Sequence, residues 1–302
     1  MNIIKKIFLV TVCFALTLPE IKGHVISDDV NTNGENMYRQ CDSIKPTNSH
    51  DIEKDFMNRL QKLKNIESSD KTRNSNNFKK YNISVYFHVI AQGYDYQSGY
   101  INDTMIEKQI NAINTAFNGS GFNFILNQVD RTINSQWFGM NQGSSEENAV
   151  KNKLKKGTSK DLNIYTCNPS GGSIGWSTFP WEYNKTSYGD GVVILYTTTP
   201  GGSHPVLNLG LSAVHEIGHW LGLYHTFEGG CCEGSSCGDY IKDTPAESSP
   251  TFGCPISRDS CNSTGSDSFW NYMNYSDDRC MLAFSYNQAQ RMQNMWLSYR
   301  YS

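Results

Sequence analysis

The chain has 302 residues, 38% hydrophobic, 12% aromatic and 18% charged, a composition too apolar for a disordered polymer. Its formal net charge of -3 argues against nucleic acid as the main partner, which would favour a basic surface, and no apolar run reaches the roughly 18–20 residues of a membrane span. Nine cysteines point to an oxidising compartment, and the length allows one large domain or two modest ones.

Residues 1–23 have the order of a secretory signal: Lys5 and Lys6, an apolar core from Ile7 to Leu18, the helix breaker Pro19 and the small Gly23. The competing reading, a buried helix of a cytosolic domain, fits less well at the very start of a chain. Removal would take away Lys5, Lys6, Lys22 and Glu20, moving the net charge from -3 to -5, and Cys13, leaving eight cysteines. In an exported chain the Asn-x-Ser/Thr sites at Asn82, Asn102, Asn118, Asn184, Asn262 and Asn274 are glycosylation candidates. Chance matches compete in a sequence this rich in Asn and Ser, so only some are expected to be used.

Residues 24–80 are polar and loosely patterned. Ile52, Phe56, Leu60, Leu63 and Ile66 recur at helical spacing and predict one helix over 51–66. Ser68 to Asn77 has almost nothing to bury and reads as an exposed linker. Lys71, Arg73, Lys79 and Lys80 offer sites for a proteolytic cut. The segment is either a propeptide or a mobile extension that is never removed.

From Tyr81 onward the pattern is that of a folded domain. Strands are predicted over 83–90, 122–126, 162–166 and 191–196, from β-branched and aromatic density. Helices are predicted over 104–117, with Ile106, Ile110, Ile113 and Phe117 on one face, and over 148–156. Residues 170–180 suit an irregular edge strand. Strands alternating with few helices suggest a mixed sheet in an α/β or α+β domain. A last helix, around 287–299, carries Met292, Met295 and Trp296 as core.

The chemistry lies in Leu211-Ser-Ala-Val-His-Glu-Ile-Gly-His-Trp-Leu-Gly-Leu-Tyr-His225. His215 and His219 stand four apart, which on an α-helix puts both imidazoles on one face, able to grip one ion. Gly222 ends the helix, and the turn it permits brings back His225 as a third ligand. Three imidazoles with one open position is a catalytic zinc arrangement. Glu216, beside the first ligand, is placed to take a proton from an attacking water and return it to a leaving amine. An isolated helical His pair would be weak evidence; His24, His50, His88 and His204 read as surface or satisfied core residues. The complete string of three His, one Glu and one Gly is far more specific.

This string is similar to the zinc helix of the metzincin endopeptidases, and over Ala213 to Phe227 it resembles the pappalysin family, close to its secreted fungal-type members. Asp239 to Ala246, Phe252-Gly-Cys-Pro255 and Asn271 to Cys280 are further matches, and the likeness runs from about Tyr81 to the end, strongest from Leu162. The resemblance implies an α+β fold: a mixed twisted sheet, the zinc helix at about 211–223, and an irregular, disulfide-tied carboxy-terminal subdomain with its Met turn at about 271–276.

The resemblance also assigns roles. Met273 is the Met-turn methionine. Tyr275 takes the place of a tyrosine that donates to the developing oxyanion, with a packed core tyrosine as the alternative. The implied disulfides are Cys254–Cys280 and Cys237–Cys261. Cys41, in Arg39-Gln-Cys-Asp42, resembles a latency cysteine that occupies the open zinc position. A structural pairing of Cys41, for instance with Cys167, is the rival, and the adjacent Cys231-Cys232 departs from the family pattern. Asp239, Asp243 and Thr244 are calcium candidates, or simply turn-forming residues. Asp277 and Asp278 are candidates for a pocket that prefers a basic side chain. The substrate is expected to add a strand along 170–179.

The expectation is thus a secreted, monomeric zinc endopeptidase acting on proteins or peptides, with residues 1–23 as signal, 24–80 as propeptide and linker, and 81–302 as catalytic domain. A zinc-stabilised binding protein and a silent relative are the rivals; the intact Glu216 speaks against both.

Overall fold

In the computed structural model, residues 38–43, 45–67, 78–183, 188–232 and 237–301 are described. The signal at 1–23, the linker at 68–77, His24 and Asn184 lie outside the described residues. In chain order the elements are α1 (Ser49–Glu67), β1 (Tyr81–Ala91), α2 (Asp103–Ala116), β2 (Phe122–Ile133), α3 (Ser135–Phe138), α4 (Ser145–Leu154), β3 (Leu162–Cys167), β4 (Gly175–Ser177), β5 (Val192–Leu195), α5 (Leu211–Trp220) and α6 (Tyr286–Met295).

The strands form one mixed sheet in the order β2-β1-β3-β5-β4. β1, β2, β3 and β5 run parallel, and the short edge strand β4 runs antiparallel to β5. The central strands are buried on both faces; β5 reads as a continuous apolar run, and β3, though buried throughout, carries the polar Asn163 and Thr166. β2 continues to Ile133 instead of ending at Leu126 as expected. The register slips there, Val85 facing Leu126 but Tyr86 facing Gln128, so Asn127 is bulged out. Past the bulge β2 is a half-exposed edge held by its backbone ladder to β1, which an apolar pattern does not reveal.

α2 packs against β2 and α5, and α5 packs against β4 and β5. Ile106, Ile110, Ile113 and Phe117 are buried as the helical period requires. Asn102 caps α2 by accepting from Met105 N. His88 is a satisfied core histidine, with Nδ1 2.9 Å from Asp130 Oδ2 and Nε2 2.9 Å from Asn163 Oδ1.

The far end of the chain closes the domain. After α6 the backbone widens into a π-helical turn, Trp296–Arg300, which brings the fully buried Arg300 back under the sheet. Its guanidinium pairs with Asp190 at 3.1 Å, donates to Trp220 O at 3.0 Å and stacks on the Trp220 ring at 3.9 Å. α1 docks on this same end, where Glu53 is gripped by both terminal nitrogens of Arg291.

Asp190 and Arg300 are both wholly shielded from solvent, so removing one leaves the other as an uncompensated buried charge. Asp190→Ala is expected to cost about 3–5 kcal/mol of stability, read as a lowered urea midpoint with an unchanged slope.

Candidate active site

α5 presents its histidines as the pitch dictates, and its end is a Schellman turn. Gly222 takes φ +92°, Gly222 N donates to His219 O at 2.8 Å and Leu223 N to Gly218 O at 3.0 Å. The reversal returns the chain so that His225 faces α5. His219 Nε2 lies 3.2 Å from His215 Nε2 and 3.2 Å from His225 Nε2. Two nitrogens at 2.0–2.1 Å from one tetrahedral ion would stand about 3.3 Å apart, so the spacing fits a shared zinc.

The outward nitrogens are all engaged. Nδ1 of His215 donates to Tyr272 O at 2.7 Å and Nδ1 of His219 to Leu223 O at 2.7 Å, which leaves each Nε2 with its lone pair pointing inward. His225 Nδ1 lies 3.4 Å from Glu228 Oε2. Burial, then the neighbouring imidazoles, holds His215 and His219 well below the usual histidine range. Three buried imidazoles whose Nε2 atoms face one another are what a cation requires.

Glu216 is fully buried on the adjoining face of α5. Desolvation raises its carboxyl to about 8, against the lowering effect of hydrogen bonds from Cys41 and Ser43. Met273 is fully buried below α5 and packs against the bare Cα of Gly218, where any side chain would collide with its sulfur. Tyr275 Oη lies 3.4 Å from His225 Nε2 and donates to Cys41 O at 3.3 Å; burial lifts its phenol well above the usual value, so it stays a donor. Asn271, Glu247 and Asn274 hold this turn: Asn274 Nδ2 donates to Glu247 Oε2 at 2.7 Å, and Asn274 Oδ1 accepts from Thr251 N at 2.9 Å.

The segment around Cys41 lies in the cleft. Cys41 bridges Gly175 of β4 in the parallel sense, with Asp42 N donating to Gly175 O and Ile174 N to Gln40 O. Cys41, His215, His219 and His225 place one ligand atom each within 4.8 Å of one another. Ser43 Oγ donates to Glu216 Oε2 at 3.1 Å and accepts from Ser177 N at 2.8 Å. Arg39 is buried, with Nη2 2.6 Å from Asp278 Oδ1, and Asp278 Oδ2 also accepts from Leu209 N at 2.8 Å. Tyr38 packs against the half-exposed Phe252, ring centroids 5.1 Å apart. Sequence reasoning singled out neither Arg39, Ser43 nor Glu228. The signals were there: alternate positions on either side of Cys41, and an acid three residues after His225.

Several expectations are corrected. Cys254 pairs with Cys280, but Cys261 pairs with Cys231, and Cys237 closes a short loop with Cys232. The Cα atoms of Cys231 and Cys261 are 5.5 Å apart, within bridging distance, so the second vicinal cysteine takes up Cys237. Cys41 and Cys167 are both free and buried; one lies in the cleft and the other in β3, so they do not pair. Asp239 accepts from Ile241 N and Thr244 Oγ1 within one turn, whereas Asp243 accepts from Ser285 Oγ and Asn287 N at the start of α6. The three calcium candidates therefore do not converge. Asp277 lies 3.4 Å from Arg279, while Asp278 pairs with Arg39. Asn82, Asn102, Asn118 and Asn262 are exposed, but Asn274 is wholly buried in the Met turn and closed to glycosylation in the folded chain.

Glu228 is the acidic group nearest the outer nitrogen of His225, at 3.4 Å, and is only partly exposed. Its removal in Glu228→Ala is expected to weaken zinc binding about 10–100-fold, measured by competition with a chromophoric chelator.

Comparison with known proteins agrees with this geometry. The peptidase M43 family, described as pregnancy-associated plasma protein-A, matches residues 147–296. An extracellular metalloprotease of Podospora anserina is 45% identical over 222 residues, covering 72% of this chain and 74% of that protein. One of Verticillium alfalfae is 38% identical over 292 residues, covering 95% and 96%. Among solved structures, mirolysin in complex with a compound matches with a TM-score of 0.63 at 27% identity, over 74% of this chain and 97% of that one. A point mutant of Tannerella forsythia promirolysin matches with a TM-score of 0.68 at 26% identity, over 87% and 95%. The converging histidines, the buried glutamate and these relatives together place the chain in the pappalysin family of metzincins, as a zinc metalloendopeptidase.

Proposed function

We propose that this chain is exported as a latent endopeptidase and cleaves extracellular proteins once its amino-terminal segment is removed. The carrying observation is the convergence of His215, His219, His225 and Cys41 beside a buried glutamate. With zinc bound, Cys41 would hold the fourth ligand position. Its thiol is pushed well up by burial and then by Glu216, and a bound cation reverses that preference. Ser43 meanwhile occupies Glu216, and Arg39 fills the Asp278 pocket. The activating cut falls within 68–80, where Lys71, Arg73, Lys79 and Lys80 stand.

Zinc, when bound, supplies Lewis-acid polarisation of the scissile carbonyl and of the attacking water. The remaining work is done by the chain. The substrate pairs with the free edge of β4, which orients its carbonyl above α5. Glu216 accepts a proton from the attacking water and delivers it to the leaving nitrogen. Tyr275 donates to the developing oxyanion. Arg39 on Asp278 stands in for a substrate side chain, so a basic residue is preferred just after the scissile bond. The enzyme acts as a monomer, and the disulfides at Cys231, Cys232 and Cys254 suit an oxidising exterior.

After activation, Glu216→Ala is expected to lower kcat about 10²–10⁴-fold while zinc remains bound, and a chelator is expected to abolish casein cleavage until zinc is restored. Activity that survives both treatments would overturn the mechanism. Full-length Cys41→Ala is expected to cleave peptides at least about tenfold faster than the uncut wild type, a shift of about 1.4 kcal/mol toward the open cleft, in a fluorogenic assay.

A further inference from the structure

The latent segment touches the cleft at every second residue. Arg39 enters the Asp278 pocket, Cys41 meets the histidines, Ser43 meets Glu216, and Lys45 reaches beyond them. A strand alternates its side chains with period two, so these four residues sample successive positions of one groove. The first three contacts belong to the latency mechanism already proposed. The fourth lies on the other side of the histidines from Asp278 and has no role in it.

Lys45 Nζ donates to Gly238 O at 2.8 Å and stands over the ring of Tyr240 at 4.6 Å and that of Tyr224 at 5.4 Å. A carbonyl and two aromatic faces form a cradle for a cationic side chain. Tyr240 is built into it at a cost. Its φ is +61°, the sole positive value outside glycine among the described residues, and tyrosine has no side-chain bond that would favour that region. The conformation is imposed by the tight loop: Tyr240 N donates to Cys237 O at 3.1 Å, and Cys237 is tied to Cys232. Strain of this kind persists where a side chain must be aimed. Arg291 also lies over Tyr224, at 5.2 Å, so Tyr240 is the determining ring.

We propose that Tyr240, with Gly238 O and Tyr224, is a substrate subsite for a lysine or arginine side chain on the amino-terminal side of the scissile bond. This rests on the reading of the cleft as a peptidase groove. Lys45 stands four positions after Cys41, a reach of at most roughly 13 Å, which places the subsite at the third or fourth residue before the bond. The enzyme then reads two cations, one at Asp278 and one at Tyr240, with the cleaved bond between them.

The test uses fluorogenic peptides with arginine after the scissile bond. Each of the second, third and fourth positions before the bond carries lysine, norleucine or glutamate in turn. With activated wild-type enzyme, lysine is expected to exceed norleucine about five- to tenfold in kcat/KM at the third or fourth position, with glutamate below both. Asn occupies positive φ readily, so Tyr240→Asn removes the ring and keeps the backbone; its lysine-to-norleucine ratio is expected to fall to about one, with the melting temperature as the control for folding. A wild-type ratio of one at all three positions overturns the subsite whatever the variant does. An undiminished ratio in folded Tyr240→Asn overturns the assignment to that ring. No chelator-sensitive cleavage of any peptide overturns the peptidase reading, and this inference with it.

Discussion

Three imidazole lone pairs aimed at one buried point are the constraint around which this protein is arranged. Without a cation they repel one another, and each has lost its contact with water. The chain holds them there by engaging every outer nitrogen: Tyr272 O and Leu223 O take two, and Glu228 faces the third. These partners come from three places, namely the Met turn, the end of the zinc helix and the loop beyond it. The metal site is therefore also the joint between the sheet-bearing half and the irregular half of the domain. The bare Cα of Gly218 serves the same joint, since it lets Met273 close up beneath α5.

The sheet's contribution is an edge. β4 is only three residues long, yet it offers its backbone directly above the zinc helix, and it stands antiparallel beside an otherwise parallel array. An exposed edge is a hazard in most proteins. The segment around Cys41 occupies it in the parallel sense. That segment brings the Cys41 thiol to the three histidines, the Ser43 hydroxyl to Glu216, the Arg39 guanidinium to Asp278 and the Lys45 ammonium over Tyr240.

The irregular half lacks the ladders of hydrogen bonds that fix a sheet, and covalent links take their place. Cys254–Cys280 ties the Phe252 loop to the residues after the Met turn, Cys231–Cys261 spans the long loop between His225 and the Met turn, and Cys232–Cys237 tightens the approach to Tyr240. Loop-closing bonds of this kind limit the freedom of the unfolded chain. α1 adds a further restraint through the buried Glu53–Arg291 pair.

What the sequence alone determined was local. The helical pitch sets His215 against His219, Gly222 sets the reversal that returns His225, and Glu216 follows from its place beside the first ligand. The core strands and α2 were legible because their periodicity reports which face is buried. Tertiary structure decided whatever joins distant parts of the chain. Arg39 and Asp278 are 239 residues apart, and nothing in the neighbourhood of either announces the other. The partner of Cys261 differs from the expected one for the same reason, since spacing does not say which of two vicinal thiols comes within bonding distance. The continuation of β2 past its bulge and the aim of Asp243 toward α6 likewise depend on what lies across from them. Local pattern is set by bond geometry and side-chain period; pairing across the fold is set by which surfaces the sheet edge and the cross-linked loops bring together.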